Sequence, residues 1–187
     1  MGVLKDMVSK RYFIHFLLTL FTFTRLAGAD QPKAPPLLLP DTNGKYFFLE
    51  DYVGANAVEP KPVIISFFAT WCEPCKDEMK AIMRLKQRFE DKLVVRFVNI
   101  EPYTKREKVL KFVERLGVQK FTLFDPYMEY AKRWGVVKER SGGTDTTLPA
   151  CFLIGKSGRI VFKHFGTSND MESRLRELIE AELKAGD

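Results

Sequence analysis

The chain has 187 residues, of which 45% are apolar and 29% are charged, and its formal net charge is +6. This length and composition suit one globular domain with a sizeable core, preceded by a leader. Half of the net charge lies in residues 1–29, and the basic residues that follow are interleaved with acidic ones. That pattern lacks the basic stripe of a nucleic-acid-binding surface, so we expect no nucleic-acid partner.

The first thirty residues have the layout of an export signal. Basic residues precede an apolar run at residues 12–24, which is shorter than a bilayer-spanning helix requires, and Ala27-Gly28-Ala29 is a small-residue cleavage pattern. We predict that residues 1–29 are a signal peptide, or an N-terminal membrane anchor if they are retained, and that residues 30–187 are the folded domain. Either outcome predicts a periplasmic or other extracytoplasmic location, with membrane contact only through an uncleaved leader.

A hairpin is predicted before the centre of the chain. Residues 31–40 form a proline-rich connector that ends in a short edge strand at 37–39, and Asp41-Thr42-Asn43-Gly44 is a strong turn signal. Residues 45–49 then read as the second strand.

The central motif begins with a continuous apolar run, Val63–Phe68, which predicts a strand buried on both faces. Cys72 and Cys75 follow it where a helix begins, and a Cys-x-x-Cys pair in that setting predicts a redox dithiol. The unpaired N–H groups of a helix start favour a thiolate and lower the thiol pKa from its ordinary value of about 8.5. We expect Cys72 to attack a partner disulfide and Cys75 to resolve the mixed disulfide.

Two other interpretations of the pair are weaker. A structural zinc site needs four ligands, and the other candidates are Cys151, His164 and a histidine of the leader. A purely structural disulfide would close so short a loop that it would stabilise little.

The rest of the chain alternates predicted helices and strands. Helices are predicted at residues 73–90, 104–116, 126–134 and 169–184, and strands at residues 93–100, 121–124, 150–154 and 159–165. Thr104 and Glu107 have the spacing of a capping box, and Asn169 with Glu172 predicts a cap for the last helix. The polar, glycine-rich residues 137–147 predict a flexible loop.

These elements predict an α/β fold. Two strands joined through a long helix form a parallel, right-handed crossover, while the closing hairpin must be antiparallel. The result is a mixed central sheet flanked by helices.

Residues 71–79, WCEPCKDEM, resemble the active-site segment of the TlpA/ResA/DsbE group of thiol–disulfide oxidoreductases of the bacterial envelope. The resemblance extends from about Ala34 to the C-terminus. It implies a thioredoxin fold with an N-terminal β-hairpin extension and an inserted helix.

The resemblance also implies further site residues. Pro149 matches a proline that is cis in the thioredoxin family and faces the cysteine pair; alternatively it only starts a strand. Glu101 resembles the glutamate with which some ResA-like proteins face the dithiol, where it would exchange a proton with Cys75, or it is an exposed acid. Trp71 is expected to shield the site or to join the core.

Two more side chains bear on the chemistry. Cys151 is either a small buried hydrophobe or a third thiol near the site. Glu73 adds negative charge between the cysteines, which favours the oxidised form of the pair and hence a reductant.

We therefore predict an exported enzyme that reduces disulfides of envelope proteins. Its task would be either cytochrome c maturation, with apocytochrome c as a candidate substrate, or thiol repair. No nucleotide motif is present, so no cofactor is expected and electrons would come from a membrane thiol reductase. The alternatives are a disulfide oxidase or isomerase of the same fold and a metal-binding carrier module.

Overall fold

The computed structural model describes residues 31–185, and the predicted leader with its cleavage site lies outside them. From Lys33 onward the described chain forms one compact unit. The strands are β1 Leu38–Pro40, β2 Tyr46–Phe48, β3 Val63–Phe68, β4 Val94–Asn99, β5 Thr122–Phe124, β6 Val137–Arg140, β7 Gly143–Thr146, β8 Ala150–Ile154 and β9 Ile160–Phe165. The α-helices are α1 Glu73–Phe89, α2 Arg106–Arg115, α3 Glu129–Arg133 and α4 Met171–Lys184.

Five strands form the central sheet in the order β5-β4-β3-β8-β9. β3 is parallel to β4, and β4 to β5, whereas β8 is antiparallel to both β3 and β9. Every residue of β3 is buried, as its apolar character predicts for a central strand. The predicted thioredoxin-like architecture with a mixed sheet is confirmed.

Each face of the sheet carries its own apolar cluster. One cluster joins the sheet to α1, α2 and α4. The other lies under the N-terminal hairpin of β1 and β2 and under α3. The predicted hairpin is therefore present, and it covers one face of the sheet.

The polar segment after α3 differs from the prediction of a flexible loop. β6 and β7 pair as an antiparallel ribbon, from Val137 opposite Thr146 to Arg140 opposite Gly143. Gly142 and Gly143 have φ values of 116° and 153°, which favour glycine at the tip, and Arg140 bonds Asp145 at 3.0 Å. An exposed ribbon needs no apolar face, so its polar composition does not distinguish it from the flexible loop that the sequence predicts.

The two predicted capping boxes are absent. Residues Tyr103–Lys105 form a 3₁₀ turn, and neither α2 nor α4 has a side-chain cap. Glu107 bonds Lys111 at 2.6 Å and Glu172 bonds Arg84 at 2.6 Å. Both carboxylates are thus engaged by basic partners instead of the backbone.

The short third helix begins later than predicted. Met128 has φ 57° in the left-handed region, so regular helix starts only at Glu129. The buried Asp125 carboxylate accepts a hydrogen bond from the N–H of Ala131 at 2.8 Å. This bond satisfies one of the free N–H groups at the start of α3.

Candidate active site

The dithiol lies at the junction of β3 and α1, as predicted. Cys72 is the extended residue at the N-cap of the 17-residue helix, and Cys75 lies in its first turn. The two are joined as a disulfide, with their Cα atoms 5.4 Å apart. Both are buried, Cys72 at 4% exposed and Cys75 at 1%. The order in which the two sulfurs react, with Cys72 attacking first, stays a prediction.

Pro74 occupies the first turn of α1, where the proline's missing N–H removes no helical hydrogen bond. Glu73 beside it is exposed and bonds Lys76 at 2.6 Å. This ion pair and the surrounding water both weaken the field of Glu73 at the sulfurs. The reducing character that the sequence attributed to Glu73 therefore needs another source.

Pro149 lies next to the dithiol helix. The Leu148–Pro149 peptide bond is cis, the isomer that the resemblance implied. Pro149, Pro74 and Glu78 line one cleft of about 300 Å³, together with residues of the loop before α4. The structure thus brings this proline to the redox helix.

Trp71 precedes the dithiol with its side chain largely in solvent, 62% exposed. The alternative that it belongs to the core is therefore wrong. A shielding role at the site stays a prediction.

Glu101 is buried rather than exposed, and its contacts are with the loop that leads to Cys72. Its carboxylate accepts hydrogen bonds from the backbone N–H of Thr70 at 2.5 Å and from the Thr70 hydroxyl at 2.9 Å. Asn99 donates a further bond at 3.3 Å. These bonds hold the active-site loop against the end of β4. Proton exchange between Glu101 and Cys75 stays a prediction.

Glu78 is a site residue that the sequence reasoning missed. It lies one helical turn after Cys75, is 7% exposed, and accepts a 2.7 Å hydrogen bond from the hydroxyl of Ser66. Burial raises the pKa of Glu78 to about 7, and the Ser66 hydrogen bond opposes that rise. A carboxyl with this pKa takes and releases a proton near neutral pH.

A signal for Glu78 was present in the sequence. Cys75 and Glu78 are three residues apart, which places them on the same helical face. Ser66 is the one polar residue of the apolar strand that precedes them. A polar residue in each of two facing elements indicates a buried hydrogen bond between them.

Cys151 is a free cysteine at 0% exposure, opposite Ser66 in the β3–β8 register. Burial, and to a lesser extent the charge of Glu78, raises the pKa of the Cys151 thiol well above its ordinary value. A buried, protonated thiol is a poor nucleophile, so this structure favours the interpretation of Cys151 as a small core residue.

Residues 31–185 contain neither a candidate metal site nor a helix that could span a membrane. This part of the chain contains no group of three or more His, Cys, Asp or Glu side chains placed to hold a metal ion. None of its helices has the length and apolar character needed to cross a bilayer.

Comparison with known proteins places this site in a family. The model of the AhpC/TSA family matches residues 31–163. The thioredoxin-like protein YneN of Bacillus subtilis is 37% identical over 148 residues, which are 76% of this chain and 76% of that protein. The thiol–disulfide oxidoreductase ResA of Bacillus thuringiensis is 27% identical over 148 residues, 78% of this chain and 76% of that protein.

Solved structures of thioredoxin-fold proteins are also similar to this chain. The crystal structure of a candidate DsbE thiol:disulfide interchange protein from Chlorobium tepidum matches 82% of this chain and 96% of its own, with a TM-score of 0.66 and 25% identity. StoA of Bacillus subtilis shares the fold, with a TM-score of 0.56 over 77% of this chain and 96% of its own, at 18% identity. The chain therefore belongs to the AhpC/TSA family and is a thioredoxin-fold thiol–disulfide oxidoreductase of the ResA/DsbE type, with Cys72 and Cys75 as its cysteine pair.

Proposed function

We propose that this enzyme works as a reductant of disulfides in partner proteins. The observation that carries this direction is the buried Glu78 carboxyl, one turn after Cys75. Strong oxidants of this fold gain their potential from a stabilised reduced form with a low-pKa thiolate. A carboxylate near the sulfurs disfavours a thiolate and so stabilises the disulfide form, which makes the dithiol a better electron donor.

The same carboxyl gives the reaction a proton acceptor. The Cys72 thiolate attacks one sulfur of the partner disulfide, and the other partner sulfur leaves as a thiolate. Cys75 then loses its proton to ionised Glu78 and attacks the Cys72 sulfur, which releases the second partner thiolate. The partner disulfide gains two electrons, and the enzyme ends with the Cys72–Cys75 disulfide.

The surface around the pair suits a protein substrate. Trp71 directly precedes Cys72 in the chain and its side chain is exposed, and the cleft at Pro149 lies beside α1, the helix that carries the cysteine pair. We assign Trp71 to partner contact and Pro149 to the wall of the peptide groove. Aromatic side chains are common anchors in protein interfaces.

The cellular setting is part of the same proposal. The leader pattern of residues 1–29 supports an extracytoplasmic, periplasmic-type location. There the substrates would be disulfide-containing envelope proteins, including apocytochrome c, and a membrane thiol reductase would return electrons to the pair. The family resemblance of the active-site segment supports this assignment.

Measuring the reduction potential tests the direction. A Cys72–Cys75 potential below about −220 mV, with insulin reduction by the dithiol, is the expected result, whereas a value near −120 mV would identify a disulfide oxidase. Tight retention of metal by the reduced protein, without insulin reduction, would favour the carrier module.

Trapping identifies the partners. A Cys75→Ala protein should accumulate mixed disulfides through Cys72, which mass spectrometry of the captured species would name. The matched variant Cys72→Ala should capture nothing. If Cys72→Ala captures the same species instead, the order of attack is reversed.

A further inference from the structure

Ser66 is the one polar side chain in β3, whose other members are apolar. It is 1% exposed, so water does not satisfy its hydroxyl. The hydroxyl instead donates a 2.7 Å hydrogen bond to Oε1 of Glu78 across the interface between the sheet and α1. A buried hydroxyl in a central strand is unfavourable unless it is paired, and this one is paired with the carboxyl next to the dithiol.

The bond from Ser66 is the only hydrogen bond that the Glu78 side chain makes within residues 31–185. A hydroxyl suits this position because it donates to a carboxylate and accepts from a carboxylic acid. The pair can therefore persist in both protonation states of Glu78, with one orientation of the carboxyl.

We propose that Ser66 is a positioning residue of the redox centre, which holds the Glu78 carboxyl in the orientation that exchanges a proton with Cys75. This inference rests on the proposed function of Glu78. It gives the hydroxyl a second effect, because a donor to the carboxylate favours the ionised form. Ser66 thus lowers the pH at which Glu78 becomes a proton acceptor, against the effect of burial.

The other ionisable groups around Glu78 do not set its pKa, which depends on burial and on the Ser66 hydrogen bond. On its own helix, Asp77 and Arg84 line the same cleft, and Arg84 is bonded to Glu172 of α4 at 2.6 Å. From β8 the neighbour is the neutral thiol of Cys151, whose cross-strand partner on β9 is His164. The pKa of Glu78 reflects burial and the Ser66 bond, without a contribution from these charges.

The variants Ser66→Thr and Ser66→Val form a matched pair, because the two side chains have the same shape and differ in the hydroxyl. The titration of the Glu78 carboxyl is followed by ¹³C NMR of the oxidised protein, and insulin reduction is followed against pH. We expect Ser66→Val to move both midpoints up by roughly one pH unit, and Ser66→Thr to stay near wild type. Ser66→Ala should behave as Ser66→Val.

Two controls separate this role from a structural one. Thr122→Val removes another fully buried hydroxyl of the same sheet, which bonds the Val118 carbonyl at 3.0 Å, and it should leave both midpoints unchanged. In a Glu78→Gln background the pH dependence assigned to Glu78 should vanish, and adding Ser66→Val should change the profile no further.

Unchanged midpoints in folded Ser66→Val and Ser66→Ala proteins would overturn the inference. So would a shift in Ser66→Thr equal to that in Ser66→Val, since the hydroxyl would then be irrelevant. If the wild-type protein reduces no disulfide, the proposed function fails, and the NMR titration still decides whether Ser66 controls the Glu78 carboxyl.

Discussion

At the scale of single residues, two side chains near the dithiol have opposite roles, although both are buried. Within residues 31–185, Glu78 has one hydrogen-bond partner, Ser66, and its pKa is raised to about 7. Burial raises the pKa of the Cys151 thiol well above its ordinary value, and so further from neutral pH. Burial therefore brings the carboxyl into titration near neutrality and takes the thiol out of it, because burial disfavours the charged form of each acid.

The variant Glu78→Gln tests how much the buried carboxyl lowers the stability of the folded protein. Between pH 4.5 and about 7 the folded protein holds a proton on Glu78 that the unfolded chain has released, so this group makes stability fall as pH rises through that window. The full effect is about 3 kcal/mol above pH 7. We expect Glu78→Gln to match wild type near pH 4 and to be more stable at pH 8, as measured by urea unfolding at each pH. A constant difference across this range would contradict the assignment.

The same variant should lose activity, because Gln cannot accept the Cys75 proton. We expect insulin reduction at pH 7 to fall by roughly a hundredfold, the lower end of what a positioned proton acceptor contributes. Glu73→Gln, next to the sulfurs but exposed and paired with Lys76, is the matched control and should change the rate little.

The Cys151 thiol should not react with alkylating reagents in the folded protein. Iodoacetamide treatment of the reduced, native protein should leave Cys151 unlabelled, whereas labelling in denaturant should reach it, because the folded chain buries that thiol completely. Mass spectrometry counts the adducts. Rapid native labelling of Cys151 would show that the thiol is accessible and would reopen its role as a third redox group.

At the scale of elements, the redox centre depends on strand ends and loops held by side chains. Glu101 binds Thr70, in the loop between β3 and α1, through the backbone and the hydroxyl. Glu101 follows β4, the parallel neighbour of β3. A carboxylate at the end of one parallel strand thus secures the loop at the end of the next.

Beyond Val137 the ribbon of β6 and β7 is largely exposed, so we predict that its tip unfolds locally without the rest of the domain. Gly142→Val places a β-branched residue at φ 116°, where we expect a loss of roughly 1–2 kcal/mol confined to the ribbon. Hydrogen exchange should speed up at the amides of residues 137–146 and stay unchanged in β3. The exposed neighbour Ser141→Val is the control and should have a smaller effect. Loss of insulin reduction in Gly142→Val would show that the ribbon supports the site.

At the scale of the whole molecule, stability comes from the two apolar clusters on either side of the sheet. Phe67 is fully buried and packs against Trp134 and Phe152, on the face opposite the dithiol helix. The cysteine pair belongs to the other cluster. Phe67 thus contributes to stability from the face of the sheet that does not carry the cysteine pair.

Phe67→Ala should lower the free energy of unfolding by about 3–5 kcal/mol, because it leaves a cavity between rings. Such a loss is a large fraction of the total for a domain of this size. Phe48→Ala, at a ring that is 45% exposed, should cost less than about 1 kcal/mol. Denaturant unfolding measures both, and the pH midpoint of insulin reduction should be the same in each folded variant.

The sequence alone determined the features that depend on local pattern and spacing. The apolar run of β3, the helix start at Cys72 and the turn of the N-terminal hairpin are written in consecutive residues, so their elements could be predicted. The active-site segment also carried its family resemblance in nine consecutive residues. Local signals failed where partners compete: Glu107 and Glu172 bind basic side chains instead of capping helices.

Only the tertiary structure decided which polar residues meet. Ser66 and Glu78 are twelve residues apart, and Thr70 and Glu101 are thirty-one apart, yet each pair shares a hydrogen bond inside the protein. The sequence gives no distance between such residues, and the same carboxyl is an ordinary acid in water but titrates near neutrality when it is buried. The cysteine pair could be predicted from the sequence because its chemistry depends on local geometry at a helix start. Its proposed proton acceptor, Glu78, could be identified only from the packing of the helix on the sheet.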